Sequence, residues 1–177
     1  DLNEINEESL RQKIALVMQD VFLFSRSIKD NIRLGDNSIS DEDVRKAALA
    51  IGAEDFILRT PSGYETVVSE RGTNLSSGER QLISFARAFV ANPELLILDE
   101  ATSNIDSQTE EVITNALDKL LKDRTSIIIA HRLSTIQRAD KIIVLHKGEV
   151  KEIGNHEELL ANKELYYKLY QLQFNSK

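Results

Sequence analysis

The sequence contains no cysteine, which excludes disulfide bonds and thiolate metal sites and fits a reducing compartment. It also lacks any apolar run near the roughly 20 residues that span a bilayer, since its longest apolar stretches have the length of a strand. No signal-like segment follows Asp1. We therefore expect the chain to be soluble as given.

A net positive charge is missing too. The chain has 22 Lys and Arg against 29 Asp and Glu, for a net charge of -7, which disfavours a nucleic-acid-binding face. Its 177 residues, 41% hydrophobic and 29% charged, suit one ordinary globular domain with a substantial core.

Short apolar runs alternate with longer amphipathic segments, a pattern typical of α/β proteins with a parallel sheet. The predicted strands span residues 14–18, 95–98, 126–130 and 141–145, and a hairpin turn at 147–149 leads to a last strand at 150–153. Runs as apolar as Leu-Leu-Ile-Leu and Ile-Ile-Ile predict burial on both faces of the sheet.

Helices are predicted over 41–51, 78–91 and 107–122, with a fourth running from 155 towards 170. Ser40 and Asp43 have the spacing of a capping box, and Asp106 is placed to cap the third helix. Pro93 ends the second helix, because proline disfavours a helical conformation at the residue before it.

Two carboxylates, Asp99 and Glu100, follow the apolar strand 95–98. Ligands of parallel α/β sheets bind beyond the carboxyl ends of the strands. One carboxylate suffices for Mg²⁺, which keeps several waters, and the other can orient or deprotonate an attacking water. The alternative is that acidic residues simply follow a buried strand.

Residues 75–79, Leu-Ser-Ser-Gly-Glu, open the predicted second helix. The free N–H groups and positive dipole end of a helix start favour phosphate, and the Ser76 hydroxyl can donate to it while Gly78 allows close backbone approach. The alternative is an ordinary capped helix, since serine and glycine are common caps.

Gln19 and His131 each follow a predicted strand. The Gln19 amide oxygen can bind Mg²⁺ or its water, and the neutral imidazole of His131 can donate to a phosphate oxygen or position a water. Either residue alone is more often structural. Together with the Ser/Gly helix start and the two carboxylates, they are expected to converge on one edge of the sheet.

Over essentially its whole length the sequence resembles the nucleotide-binding domain of an ABC transporter, most closely of a bacterial type I exporter of the multidrug and lipid exporter family. The matching motifs are the Q-loop at Gln19, the X-loop at 66–72, the signature at 75–79, Walker B at 95–100, the D-loop at 103–106, the switch histidine at His131 and an exporter C-terminal pattern at 154–160. The resemblance implies a P-loop NTPase-like, mostly parallel sheet flanked by helices. It further implies a helical subdomain at about 24–92 and a core α/β part formed by 1–23 and 93–177.

The resemblance implies an ATP-hydrolysing motor, at the cytoplasmic face of the cell membrane, that pairs head to tail with a second such domain around two ATP molecules. Glu100 is then the catalytic base, His131 the γ-phosphate sensor, and Asp99 and Gln19 the magnesium-associated residues. The implied ATP-binding residues are Ser76, Ser77, Gly78, Glu79, Gln19 and Asp106. Glu70 and Arg71 are implied to face the coupling helices of a transmembrane part; the alternative is a solvated charged pair.

Two departures from the family pattern limit the comparison. The usual signature is Leu-Ser-Gly-Gly-Gln, whereas Ser77 and Glu79 stand here at the third and fifth positions. Such variants occur in heterodimeric exporters with one weakened site, which leads to the hypothesis that this signature serves the weaker site. The sequence also contains no Gly-x-x-x-x-Gly-Lys-Ser/Thr phosphate loop, which the family places ahead of the Q-loop strand. We expect the isolated chain to be inactive, to have an uncovered apolar sheet edge or face, and to be prone to associate.

Two other classes stay open. One is a soluble ABC-class ATPase of DNA repair or of the ribosome, although repair members carry long coiled coils where only a short segment separates Gln19 from Leu75. The other is a non-catalytic dimerisation module, which has no chemical need for Glu100 and His131.

Overall fold

A computed structural model describes residues 4–99, 107–130 and 133–174. The chain divides into two compact units, Asp1–Ile129 and Ala130–Lys177. Among the described residues, no helix combines the length and the apolar character needed to cross a bilayer.

The first unit is built around a parallel sheet of three strands, β1 (Ile14–Val17), β2 (Leu95–Asp99) and β3 (Thr125–Ile129), in the order β1-β2-β3. Its helices are α1 (Glu7–Lys13), α2 (Ile28–Arg33), α3 (Asp41–Ile51), α4 (Glu54–Arg59), α5 (Ser77–Val90) and α6 (Ser107–Leu121). Two single turns of 3₁₀ helix lie at Gly63–Glu65 and Glu70–Gly72. The parallel sheet with its flanking helices confirms the predicted α/β class. Four of these helices lie between β1 and β2, which confirms the predicted helical insert.

Among the described residues, one face of this sheet is covered and the other is largely exposed. Val17, Leu96 and Leu98 are buried within the core cluster that includes Phe85 of α5 and Ile113 of α6. The opposite face carries the row Leu16, Ile97 and Ile127, which are in register across the three strands. Leu16 and Ile127 are 57% and 53% exposed, so the predicted burial of both faces is wrong for the described residues, and the predicted uncovered apolar face is present.

The helical insert is held by apolar side chains from all four of its helices, with Ile28, Ile32, Val44, Ile57 and Phe85 among those fully or almost fully buried. The Ser40 hydroxyl accepts the Asp43 N–H at 3.1 Å while the Asp43 carboxylate accepts the Ser40 N–H at 3.3 Å, which confirms the predicted capping box of α3. Helix α5 begins and ends one residue earlier than predicted.

The second unit contains an antiparallel hairpin of β4 (Ile142–His146) and β5 (Glu149–Gly154), joined through Lys147 and Gly148, both at positive φ. Its helices are α7 (Leu133–Gln137), α8 (His156–Asn162) and α9 (Leu165–Phe174). The single helix predicted from 155 is wrong, because Lys163 adopts a left-handed conformation at φ 55° that ends α8. The chain restarts as α9, where the buried Glu152 carboxylate accepts the Tyr166 N–H at 2.8 Å.

Candidate functional site

The strand order brings two of the predicted site residues to one edge of the sheet. Val17 pairs with Leu98, and Gln19 lies two residues further along, so it follows β1 at the same edge at which Asp99 ends β2. Asp99 is half-buried and Gln19 is exposed. This edge therefore presents an amide and a carboxylate, both oxygen donors of the kind that Mg²⁺ prefers.

The third strand ends at the same edge, since Ile129 pairs with Asp99. Three of the predicted residues, Glu100, Asp106 and His131, lie outside the described residues, so their roles stay predictions. No group of three or more His, Cys, Asp or Glu side chains suited to a metal ion occurs in the described part of the chain.

The start of α5 is closed by its own side chains. The Ser76 hydroxyl accepts the Glu79 N–H at 3.2 Å, and the Glu79 carboxylate accepts the Ser76 N–H at 2.8 Å. This capping box is the ordinary structure that serine predicts at a helix start. It also holds a negative charge where the helix dipole is positive, which stabilises the helix but disfavours a second anion there.

Ser76 and Ser77 are exposed at this helix start, Gly78 is buried and Glu79 is half-buried. The other end of α5 leads into β2, where the Glu94 N–H donates to the Lys13 carbonyl at 2.9 Å. A helix of 14 residues is about 21 Å long, so the helix start is well separated from that junction. The two exposed hydroxyls of the helix start can donate to a phosphate, which the Glu79 carboxylate beside them opposes.

Glu70 and Arg71 are both exposed, on a turn that is tied closely to α5. The Arg80 guanidinium donates to the carbonyls of Gly72, at 3.3 Å, and Leu75, at 2.6 Å. Gly72 has φ 73°, and a Cβ there would come within 2.8 Å of the Arg80 side chain, so this position requires glycine. Exposure suits both a solvated charged pair and a docking pair.

Sequence reasoning missed an ordered contact between the chain after Gln19 and the chain before Glu70. The Val68 N–H donates to the Arg26 carbonyl at 2.9 Å, and the Ile28 N–H donates to the Thr66 carbonyl at 3.0 Å. Beside it, exposed Phe22 and Phe24 contact edge to face, with ring centroids 5.0 Å apart, while Leu23 between them is buried. The available signal was the short apolar run at residues 21–24, because such a run is consistent with extended chain.

The fold is an α/β unit with an amide and a carboxylate at one parallel strand edge and two exposed hydroxyls at a helix start. The ABC transporter family matches residues 1–103, more than half of the chain, and the chain belongs to that family.

Relatives and solved structures agree with this assignment. The chain is 50% identical over 174 residues to the ATP-dependent lipid A-core flippase of Syntrophus aciditrophicus, covering 98% of this chain and 29% of that protein. It is 52% identical over 174 residues to the ABC transporter ATP-binding protein YfiC of Bacillus subtilis, with the same coverage. A bacterial Atm1-family ABC exporter with ATP bound superposes with a TM-score of 0.89 at 42% identity, covering 98% of this chain and 30% of that one. The chain thus spans less than a third of the length of these proteins.

Proposed function

We propose that this chain is the ATP-hydrolysing motor region of a longer ABC exporter that moves a substrate across a membrane. The observation that carries the proposal is the shared strand edge of Gln19 and Asp99, found in a chain that belongs to the ABC transporter family. The named relatives include a lipid flippase and an exporter solved with ATP bound, which supports export as the direction of transport.

At the strand edge, Asp99 and Gln19 would hold Mg²⁺ through carboxylate and amide oxygens. The ion, when bound, would supply positive charge that offsets the phosphates of ATP. Glu100 takes the proton of the attacking water, and His131 contacts the γ-phosphate. The register of β1, β2 and β3 supports a shared site, because all three strands end at one edge.

A second nucleotide-binding domain completes the site by head-to-tail pairing. Ser76, Ser77, Gly78 and Glu79 then approach the phosphates of the ATP held by the partner domain, and Asp106 links the two sites. The Glu79 charge weakens that contact, because the carboxylate already occupies the start of α5. This supports a heterodimer in which this signature serves the weaker of the two sites.

The exposed side of the same unit docks the transmembrane part through the Q-loop and the X-loop. Glu70 and Arg71 contribute charges, and the adjoining segment contributes the exposed pair Phe22 and Phe24. Backbone hydrogen bonds join residues 26 and 28, which follow the Q-loop, to residues 66 and 68 of the X-loop, which supports a shared docking surface.

The test is ATP hydrolysis by the full-length protein. Glu100→Gln is expected to lower kcat by about 10²-fold or more while ATP still binds, because a general base contributes about 10²–10⁴-fold. The matched control is Glu94→Gln, an exposed glutamate at the other end of the same strand, whose ion pair with Lys13 is exposed. Equal rates for Glu100→Gln and the control would refute Glu100 as the general base, and no hydrolysis by the unsubstituted protein would refute the enzyme assignment.

The isolated 177-residue chain provides a second test. Since it contains no phosphate loop, we expect neither hydrolysis nor tight binding of ATP by this chain alone. Isothermal titration with Mg-ATP measures this. Micromolar binding would show that the strand edge and helix start hold the nucleotide without such a loop.

A further inference from the structure

A fully buried amide holds the chain that follows Gln19. The Asn31 side chain, in α2, accepts the Phe24 N–H at 2.8 Å and donates to the carbonyls of Phe24, at 2.9 Å, and Ser27, at 3.1 Å. Asn31 is 0% exposed. Because these bonds all go to backbone groups, they fix the path of segment 22–28 whatever its side chains are.

An arginine from α5 binds both Asn31 and the start of this segment. The Arg87 Nε donates to the Asn31 carbonyl at 2.9 Å, and its Nη1 donates to the Phe22 carbonyl at 3.3 Å. Burial lowers the pKa of Arg87. Its Nη2 is buried with no hydrogen-bond partner among the described residues. Burying a charged group that is incompletely hydrogen-bonded costs free energy. Stability of the fold is therefore a weak explanation for an arginine at this position.

These hydrogen bonds belong to a continuous chain of contacts that begins and ends on α5. Segment 22–28 is joined to α5 by Arg87, and to the chain at 66–68 by two backbone hydrogen bonds. That chain continues into the turn that Arg80 fixes to the start of α5. Contiguous polar contacts therefore connect the exposed surface at Phe22 and Phe24 with both ends of one helix.

We propose that Asn31 and Arg87 form a clamp of positioning residues that makes segment 22–28 and α5 move as one piece. The clamp sets the position of Gln19, at the sheet edge, relative to Ser76, at the start of α5. This inference rests on the proposed function, because Gln19 and Ser76 are the residues proposed to serve the two ATP sites. Neither Asn31 nor Arg87 contacts the reacting atoms in this proposal.

The experiment uses the full-length protein with Arg87→Lys, which keeps the charge and most of the stem but loses the planar fork. The same substitution at Arg59, an exposed arginine that ends α4, is the matched control. We expect Arg87→Lys to lower kcat for ATP about tenfold or more, because small misplacements far from the chemistry have effects of this size or larger. KM for ATP and the melting temperature are expected to stay near the control values.

Amide hydrogen exchange gives a readout that needs no activity. Arg87→Lys and, independently, Asn31→Ser are expected to raise exchange in residues 22–28 and also in residues 75–80. Exchange that rises only in 22–28 would overturn the clamp, as would a kcat equal to that of Arg59→Lys. If the unsubstituted protein hydrolyses no ATP, the proposed function fails, and the exchange data still decide whether the clamp exists.

Discussion

A single carboxylate at the start of α5 has two opposing effects. Glu79 caps the helix through the Ser76 N–H, which stabilises the native state. The same charge stands where the family usually has a neutral glutamine, so it repels a phosphate. The two effects are separable, because glutamine keeps the hydrogen-bond acceptor and removes the charge.

Glu79→Ala is expected to lower the free energy of unfolding by about 1 kcal/mol, the usual effect of losing half of a capping interaction, whereas Glu79→Gln loses less. Urea denaturation of the two variants measures the difference. Glu42→Ala is the control, since Glu42 lies in the first turn of α3 without capping it. Equal losses for Glu79→Ala and Glu42→Ala would show that the box contributes nothing.

The acidic start of α3 makes stability depend on pH. The Arg33 guanidinium and then the Lys29 charge lower the pKa of Asp41, and hydrogen bonds from the Ser40 hydroxyl and backbone lower the pKa of Asp43. A carboxylate with a lowered pKa in the folded state contributes stability above its ordinary pKa of 3.8, and that stability is lost as the pH falls through the folded value.

We therefore expect the melting temperature to fall as the pH is lowered from about 5 to about 3. Asp43→Asn removes one titrating group and is expected to make this decline shallower. Thermal melts followed by circular dichroism at half-unit intervals measure both slopes. Parallel curves for the variant and the unsubstituted chain would rule out a contribution from Asp43.

At the scale of elements, the break between α8 and α9 is the informative feature of the second unit. Lys163 has φ 55°, a conformation that costs a non-glycine residue about 1–2 kcal/mol. The capped start of α9 offsets part of this cost, because the buried Glu152 accepts the Tyr166 N–H.

Lys163→Gly is expected to stabilise the chain by about 0.5–1 kcal/mol, since glycine adopts this conformation without a steric penalty. The control is Lys168→Gly in the middle of α9, where glycine is expected to destabilise by about 1 kcal/mol. Chemical denaturation with a probe in the second unit, such as the fluorescence of Tyr166, compares the two. The prediction fails if both substitutions shift the midpoint in the same direction.

Elements with a local signal were predictable, and those set by distant contacts were not. The spacing of Ser40 and Asp43 predicted the start of α3, and Pro93 predicted the end of α5. Both predictions were possible because capping and proline act on residues a few positions away. The break at Lys163 has no glycine or proline to signal it. The clamp was hidden for a different reason: Asn31 and Arg87 are 56 residues apart, and only the packing of α2 on α5 brings them together.

For the molecule as a whole, the sequence predicted that Gln19 and Asp99 share one edge of the sheet. It predicted the burial of the two sheet faces only in part. Gln19 and Asp99 share an edge because parallel strands end together, which follows from the strand pattern alone. The apolar strands predicted burial on both faces, but among the described residues one face remains uncovered. We expect that exposed surface to govern how the 177-residue chain behaves in solution.

Leu16, Ile127 and Ile129 are each at least 50% exposed on this sheet, which makes a contiguous apolar surface of the kind that drives association. The double variant Ile127→Thr, Ile129→Thr keeps strand-forming residues while removing apolar area. We expect self-association to weaken about tenfold or more, because each substitution removes about 1 kcal/mol of burial. Leu49→Gln, which removes an equally exposed leucine from α3, is the control and is expected to leave association unchanged. Light scattering across a concentration series measures the mass of each; a monomeric unsubstituted chain at every concentration, or equal masses for both variants, would show that the open face does not drive association.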